Sequence, residues 1–294
     1  MLDSGISSFL KELFTKILPD SVHSVEEQSV GGGSINDTYR LHVNKKQFFF
    51  LKINDADRYP GLFEKEKEGL DYLASQNSVR IPAVYYCGEH KNKQLLVMEW
   101  IPTGARSVAF WKKFGEQLAN LHHHRHEQHG FFADNYMGAL PQQNTFAPDW
   151  KDFFFQYRLQ PQIKLATSKN LLPGNYADLF QQLGKKLGNI FSEEQPSLLH
   201  GDLWSGNFMC SDRSLPVLID PAIYYGHRSM DLGMTTLFGG FDKEFYDAYH
   251  YHFPLPSNYE EQWEVCNLYP LLIHLNLFGM SYLNDIKNIL NRFK

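Results

Sequence analysis

The chain has 294 residues, 43% of them apolar and 15% aromatic, and carries a formal net charge of −5. That is long enough for two lobes with substantial cores, too apolar for a disordered protein, and without the basic block expected if nucleic acid were the main partner. Three cysteines, Cys87, Cys210 and Cys266, are odd in number and widely spaced, which excludes a disulfide framework and a zinc pattern; with neither a signal-peptide pattern nor an apolar run of roughly 18 residues, a reducing, cytoplasmic setting and no membrane partner are expected.

In chain order, residues 1–18 read as an amphipathic helix, with Ile6, Phe9, Leu10, Leu13, Phe14 and Ile17 on one face. A strand over 25–30 runs into Gly31-Gly32-Gly33-Ser34, followed by an alternating strand over 38–43, a polar turn, and an apolar strand over 48–53 that contains Lys52. The glycines permit positive φ and close backbone approach, as a loop over phosphates requires, although a hairpin turn would use them equally well. Lys52 is out of pattern in its apolar strand, and its place one strand after the glycine loop suits phosphate binding. Residues 63–73 have helical spacing and offer Glu64, Glu66 and Glu68 as partners for that lysine; the pattern alone does not choose among them. Two strands, 81–87 and 95–102, form a further hairpin. Five strands and one helix therefore make a small first lobe over 1–101, with Met98, Glu99 and Ile101 in the hinge, where backbone groups would face an adenine. Residues 102–294 read as a mainly helical second lobe, with helices over 108–124, 149–165, 176–191 and 260–278. The run His122-His123-His124-Arg125-His126, with His129, reads as a solvated helix end rather than a metal site, with His122 packed inward.

The most informative stretch is His200-Gly201-Asp202-Leu203-Trp204-Ser205-Gly206-Asn207, followed by Asp220 at the end of the apolar run 215–219. His-Gly-Asp-x4-Asn would arise by chance in a chain this long about once in a thousand sequences. Asp202 suits the acceptor of a proton from an attacking hydroxyl. Asn207 and Asp220 offer the hard oxygen ligands that magnesium prefers. A carboxylate base, an amide and a second carboxylate, joined by a glycine loop and a lysine, are the parts that kinase-type phosphoryl transfer needs, since its catalysis is mostly positioning and charge neutralisation.

The His-Gly-Asp form, followed by Asp220-Pro221-Ala222 and by no Ala-Pro-Glu segment, resembles the aminoglycoside phosphotransferase and choline kinase lineage rather than the protein kinases. Within that lineage the chain is similar to the fructosamine (ketosamine) kinases. The matching stretches are Gly31–Asn36, Leu96–Glu99, Asp134–Gly138, Pro141–Thr145, Leu198–Asn207, Tyr224–Arg228, Tyr269–Leu272 and Asn276–Gly279, of which Leu-Trp-Ser-Gly-Asn after the aspartate is the most specific. The resemblance implies an α+β, protein-kinase-like two-lobe fold, use of ATP and Mg2+, and transfer of the γ-phosphate to the sugar 3-hydroxyl of a small or protein-bound ketoamine, which leads to deglycation. It implies Asp202 as catalytic residue, Asn207 and Asp220 as metal ligands, Glu66 as the partner of Lys52, Asp231 as support for the catalytic loop, and an acceptor pocket shaped by Trp204, Asn135 and Asn144. The alternative is a sibling kinase acting on an aminoglycoside, choline or homoserine hydroxyl, with a pseudokinase as the non-enzymatic rival. Many members of the family carry a cysteine in the glycine loop that can link two chains; Ser34 stands there here, which puts redox-controlled dimerisation by that route in doubt. The sequence gives no signal for oligomeric state.

Overall fold

The structure, a computed structural model, describes residues 2–31 and 35–293. The N-terminal helix α1 (Ser4–Ile17) is followed by strands β1 (Val25–Ser29), β2 (Asp37–Val43) and β3 (Gln47–Asp55), helix α2 (Leu62–Ser75), and strands β4 (Val84–His90) and β5 (Lys93–Glu99). The strands form one antiparallel sheet in the order β1-β2-β3-β5-β4. Because side chains alternate along a strand, each face has its own helix. Phe49, Leu51 and Ile53 of β3 and Leu95 and Val97 of β5 pack against Leu10, Leu13 and Phe14 of α1. Leu96 and Met98 of β5 turn the other way, onto Leu62, Phe63 and Leu70 of α2. Lys52 is paired in register with Leu96, so parity carries it to the α2 face. That is why a lysine sits in an otherwise apolar strand.

The chain then crosses into the second lobe. Asp212 N–H donates to Pro102 O at 2.8 Å and Gly104 N–H to Cys210 O at 2.8 Å, which ties the crossing to the β-hairpin ahead. There follow α3 (Val108–His122), the hairpin β6 (Asn135–Met137) and β7 (Leu140–Gln142), and α4 (Trp150–Phe153), a π-helical turn (Phe154–Leu159) and α5 (Gln160–Ser168). Next come α6 (Asn175–Ile190), strands β8 (Ser197–Leu199), β9 (Phe208–Cys210), β10 (Pro216–Leu218) and β11 (Tyr224–Gly226), and helices α7 (Ser229–Leu237), α8 (Lys243–His252), α9 (Tyr259–Cys266) and α10 (Leu268–Phe278). A 3-10 turn (Met280–Tyr282) and α11 (Leu283–Arg292) end the chain. Strand β9 pairs with β10 and β8 with β11, both antiparallel. The lobes interlock: Leu73 at the end of α2, with Val79, belongs to the core formed by Phe110, Phe114 and Leu118 of α3.

Three expectations need correction. The single helix expected over 260–278 is two, broken at Asn267. Pro270 has no N–H to continue the ladder and its ring would meet the carbonyl four residues back, at Cys266. The helix expected over 149–165 is interrupted by the π turn ahead of Pro161, for the same reason. The histidine run is not all solvated. His122 packs inward as expected, but His126 stacks on Phe146 and Tyr225, and His129 is buried beside Trp150.

Candidate active site

A cavity of about 430 Å3 lies between the lobes, lined among others by Lys52, Glu66, Asp202, Asn207 and Asp220. Lys52 Nζ donates to Glu66 Oε1 at 2.7 Å and to Asp220 Oδ1 at 2.5 Å, spanning the sheet, helix α2 and the loop after β10. Glu66 is the buried glutamate of its helix, whereas Glu64 and Glu68 are exposed. The helical period puts only Glu66 beneath the sheet, on the face where Phe63 and Leu70 pack. Burial works to lower the Lys52 pKa, but the charges of Asp220 and Glu66 outweigh it and raise it above the ordinary lysine value. Burial pushes the Glu66 carboxyl up, against the pull of Lys52.

Asn207 Nδ2 donates to both the carbonyl oxygen and Oδ2 of Asp202, each at 2.9 Å. Both amide hydrogens are thereby committed, and the amide oxygen is left as a hard donor. Burial, then the neighbouring Asp220 charge, push the Asp202 carboxyl up to about 7. Two carboxylates crowded beside an amide oxygen are a donor set that a divalent cation fits, since its charge would relieve their repulsion. Asp220 takes a positive φ of 55° before Pro221, so the backbone turns as β10 ends.

The loop that carries Asp202 is held from behind. Asp231, buried on α7, accepts from His200 N–H at 2.7 Å and from Gly201 N–H at 2.8 Å, and from His122 Nε2–H at 3.1 Å. Burial alone would raise the Asp231 carboxyl; these donors hold it below the usual value. His200 accepts at Nδ1 from Asp202 N–H at 3.3 Å and donates from Nε2 to Ile219 O at 2.9 Å, which links the Asp202 loop to the Asp220 loop. Gly201 has a φ of 85°, and a Cβ there would collide with the Ala222 carbonyl, so only glycine lets the two loops approach. At Gly206 a Cβ would strike the Trp204 ring. Glycine there gives the indole its place on the cavity wall.

The other expected site residues fall in different places. Asn135 and Trp204 line the cavity. Asn144 does not line it and sits behind Asn135. It is fully buried, its Nδ2 donates to Ala133 O and Asn135 Oδ1, and its Oδ1 accepts from Arg158. Arg158, a buried cation over the Tyr224 ring at 4.0 Å, was not legible as part of this network. Met98 is buried under α2, Glu99 N–H donates to Ala83 O at 2.8 Å while its carboxylate pairs with Arg80 at 2.5 Å, and Ile101 is buried; none of the three lines this cavity. Gly31 is exposed with open space at its Cα, and Gly32, Gly33 and Ser34 lie outside the described residues. Beyond the loop, Ile35 and Asn36 face the cavity. Tyr136, inside the 134–144 region expected to shape the acceptor pocket, lines the cavity; sequence reasoning missed Phe238, His274, Leu277, Phe278 and Tyr282, which also line it. His274 and Phe278 in the last turns of α10 and Tyr282 just beyond it recur every four residues, a stripe that reads as helix core unless the helix end at Gly279 is noticed.

Comparison with known proteins gives a consistent outcome. A family model described as fructosamine kinase matches residues 7–294. A "Probable ketoamine kinase" of Enterococcus faecium is 40% identical over 266 residues, covering 90% of this chain and 94% of that one. A chloroplastic protein-ribulosamine 3-kinase of Oryza sativa subsp. japonica is 34% identical, over 90% of this chain and 78% of its own. Among solved structures, a proposed fructosamine-3-kinase of Thermobifida fusca superposes with a TM-score of 0.87 at 30% identity, over 98% of this chain and 99% of that one. LicA in complex with AMP is similar at a TM-score of 0.60 and 17% identity, over 99% of this chain and 100% of that one, a likeness of fold alone. The fold is α+β and protein-kinase-like, with two lobes, and the chain belongs to the fructosamine kinase family.

Proposed function

We propose that this protein is a ketoamine kinase that transfers the γ-phosphate of ATP to the sugar 3-hydroxyl of a fructosamine or related ketosamine. One observation carries the reading: a single ammonium, Lys52 Nζ, bonded at once to Glu66 and Asp220 in the cavity that Asp202 and Asn207 also line. In this role Lys52 holds the phosphates, Glu66 keeps Lys52 in place, and Asp202 accepts the proton of the attacking hydroxyl. The hydroxyl oxygen bonds to the γ-phosphorus, the bond from that phosphorus to the β-phosphate oxygen breaks, and ADP leaves. Asn207 and Asp220 would hold Mg2+, which would supply neutralisation of the phosphate charge. Asp231 and His200 fix the backbone of the Asp202 loop and Asn207 fixes its carboxylate, so that no reorganisation is needed during transfer.

The purine would lie along Met98–Ile101. Among the described residues no backbone carbonyl accepts from Ile101 N–H, which leaves that donor for a base. We take 1–101 as the nucleotide lobe, 102–294 as the catalytic and acceptor lobe, and the cytoplasm as the working compartment; among the described residues no helix is long and apolar enough to cross a membrane. The test is magnesium-dependent ATP consumption by pure protein offered fructosyl-lysine, ribulosyl-lysine, choline and kanamycin. Turnover of the ketoamines alone is expected. Turnover of choline or kanamycin without ketoamine turnover would assign the acceptor to a sibling activity, and no turnover with any acceptor would point to a pseudokinase.

A further inference from the structure

The far end of the cavity is built from rings. Starting at Trp204, two residues past Asp202, aromatic side chains follow one another outward. Trp204 meets Phe238 at 5.8 Å between centroids, Phe238 meets His274 at 4.9 Å, and His274 meets Phe278 at 5.5 Å and Tyr282 at 5.0 Å. All five line the cavity. Phe238 and Phe278 are 39% and 49% exposed, so they serve the interior poorly. A contiguous exposed apolar surface that opens from a cavity marks where a ligand's apolar part belongs.

Charge is absent from this side. The carboxylates facing the cavity are Glu66, Asp202 and Asp220, all at the transfer end, and Lys65 is paired with Glu68 at 2.9 Å. Among the described residues no acidic side chain lines the ring-built wall. His274 donates from Nδ1 to Pro270 O at 2.7 Å, and burial lowers its pKa, so its ring is neutral.

We propose that this track of rings holds the amine substituent of the ketoamine, and that the protein prefers ketoamines of apolar amines, aromatic or long-alkyl, over those of short polar or doubly charged amines. The inference rests on the ketoamine kinase reading. With the reacting hydroxyl at Asp202, the atoms beyond the ketoamine nitrogen leave along the rings. The protonated nitrogen crosses ring faces, which attract cations through their quadrupole. An apolar substituent then removes Phe238 and Phe278 from water. A second ammonium further out finds no carboxylate to pair with.

The experiment measures kcat/KM for a series made from one sugar with benzylamine, hexylamine, ethanolamine and 1,5-diaminopentane, using wild type and Phe278→Ser. Phe278 is half exposed, so the variant should fold, and a thermal melt checks this. For wild type the benzyl and hexyl compounds should exceed the other two by about tenfold or more, chiefly through KM, since a filled apolar subsite is worth that much discrimination. In Phe278→Ser the ratio of benzyl to ethanolamine compound should fall to about threefold or less. Equal kcat/KM across the series, or a variant that slows all four alike, would overturn the preference while leaving the ketoamine kinase reading intact. No turnover of any of the four would sink that reading and this inference with it.

Discussion

The two ends of the cavity work by opposite means. At the transfer end every charged group is held by a partner: Lys52 by Glu66 and Asp220, Asp202 by Asn207, and the loop behind by Asp231. At the ring-lined end, where the proposed acceptor site lies, the rings hold one another and leave surface open to solvent. Fixed charges suit chemistry whose transition state has one geometry, whereas an apolar wall tolerates variation in what it covers. On the proposed roles, the comparison makes reaction and substrate range separable, and the substitutions below are ways to break or sharpen that division.

The largest effect is expected from Asp202→Asn. It should lower kcat by about 10²–10⁴-fold, with ATP affinity nearly kept, because the carboxylate acts mainly in the transition state. Steady-state kinetics and nucleotide titration would check this; a kcat within a few-fold of wild type would remove Asp202 from its role. Lys52→Met comes next. It leaves Glu66 and Asp220 facing each other without their cation, and should cost about 3–5 kcal/mol of stability along with ATP binding. Adding Glu66→Gln should restore part of the stability but none of the ATP binding. Strict additivity in a double-mutant cycle would mean that the pair is not coupled.

Stability should also depend on pH at the rear of the second lobe. Burial lowers the pKa of His129 and of His227 to about 4. Their folded values lie below the unfolded value near 6.5, so the unfolded chain binds more protons between these limits. Stability is therefore full above about pH 6.5 and is lost as pH falls toward 4, on the order of 3 kcal/mol for each ring. Chemical denaturation at stepped pH measures it. His227→Gln should flatten the slope, and an unchanged slope would contradict the assignment. The smallest effect is expected from Asn144→Ala, about 1–3 kcal/mol of stability through the orphaned Arg158 and Asn135 groups, with little change in KM for the ketoamine. A large KM increase in a variant as stable as wild type would return Asn144 to the acceptor pocket.

What was legible in the sequence follows the same division. The transfer end depends on a few polar residues at fixed short spacings, such as Asp202 and Asn207 on one loop and Asp220 where an apolar run ends, and local spacing survives in the text. Lys52 stood out because it violates its strand's pattern. Its choice of Glu66 over Glu64 and Glu68 follows from helix phase, visible once Phe63 and Leu70 define the packed face. The proposed acceptor wall joins Trp204, Phe238 and the stripe from His274, brought together by helix packing that no local pattern encodes. The burial of Asn144 behind Asn135 was hidden for a related reason: lying near a pocket in the chain does not say which way an amide points. Within the second lobe, Pro161 and Pro270 marked the helix interruptions, but long apolar periodicity hid them.

The central claim is phosphoryl transfer to a ketoamine at the sugar 3-hydroxyl. Its most direct measurement is phosphorus NMR of a reaction holding the protein, magnesium, ATP and fructosyl-benzylamine. The account expects one new phosphomonoester signal, coupled to the proton on carbon 3 and growing in equal amount with ADP. ATP left intact, or phosphate released to water with no sugar phosphate formed, would contradict it.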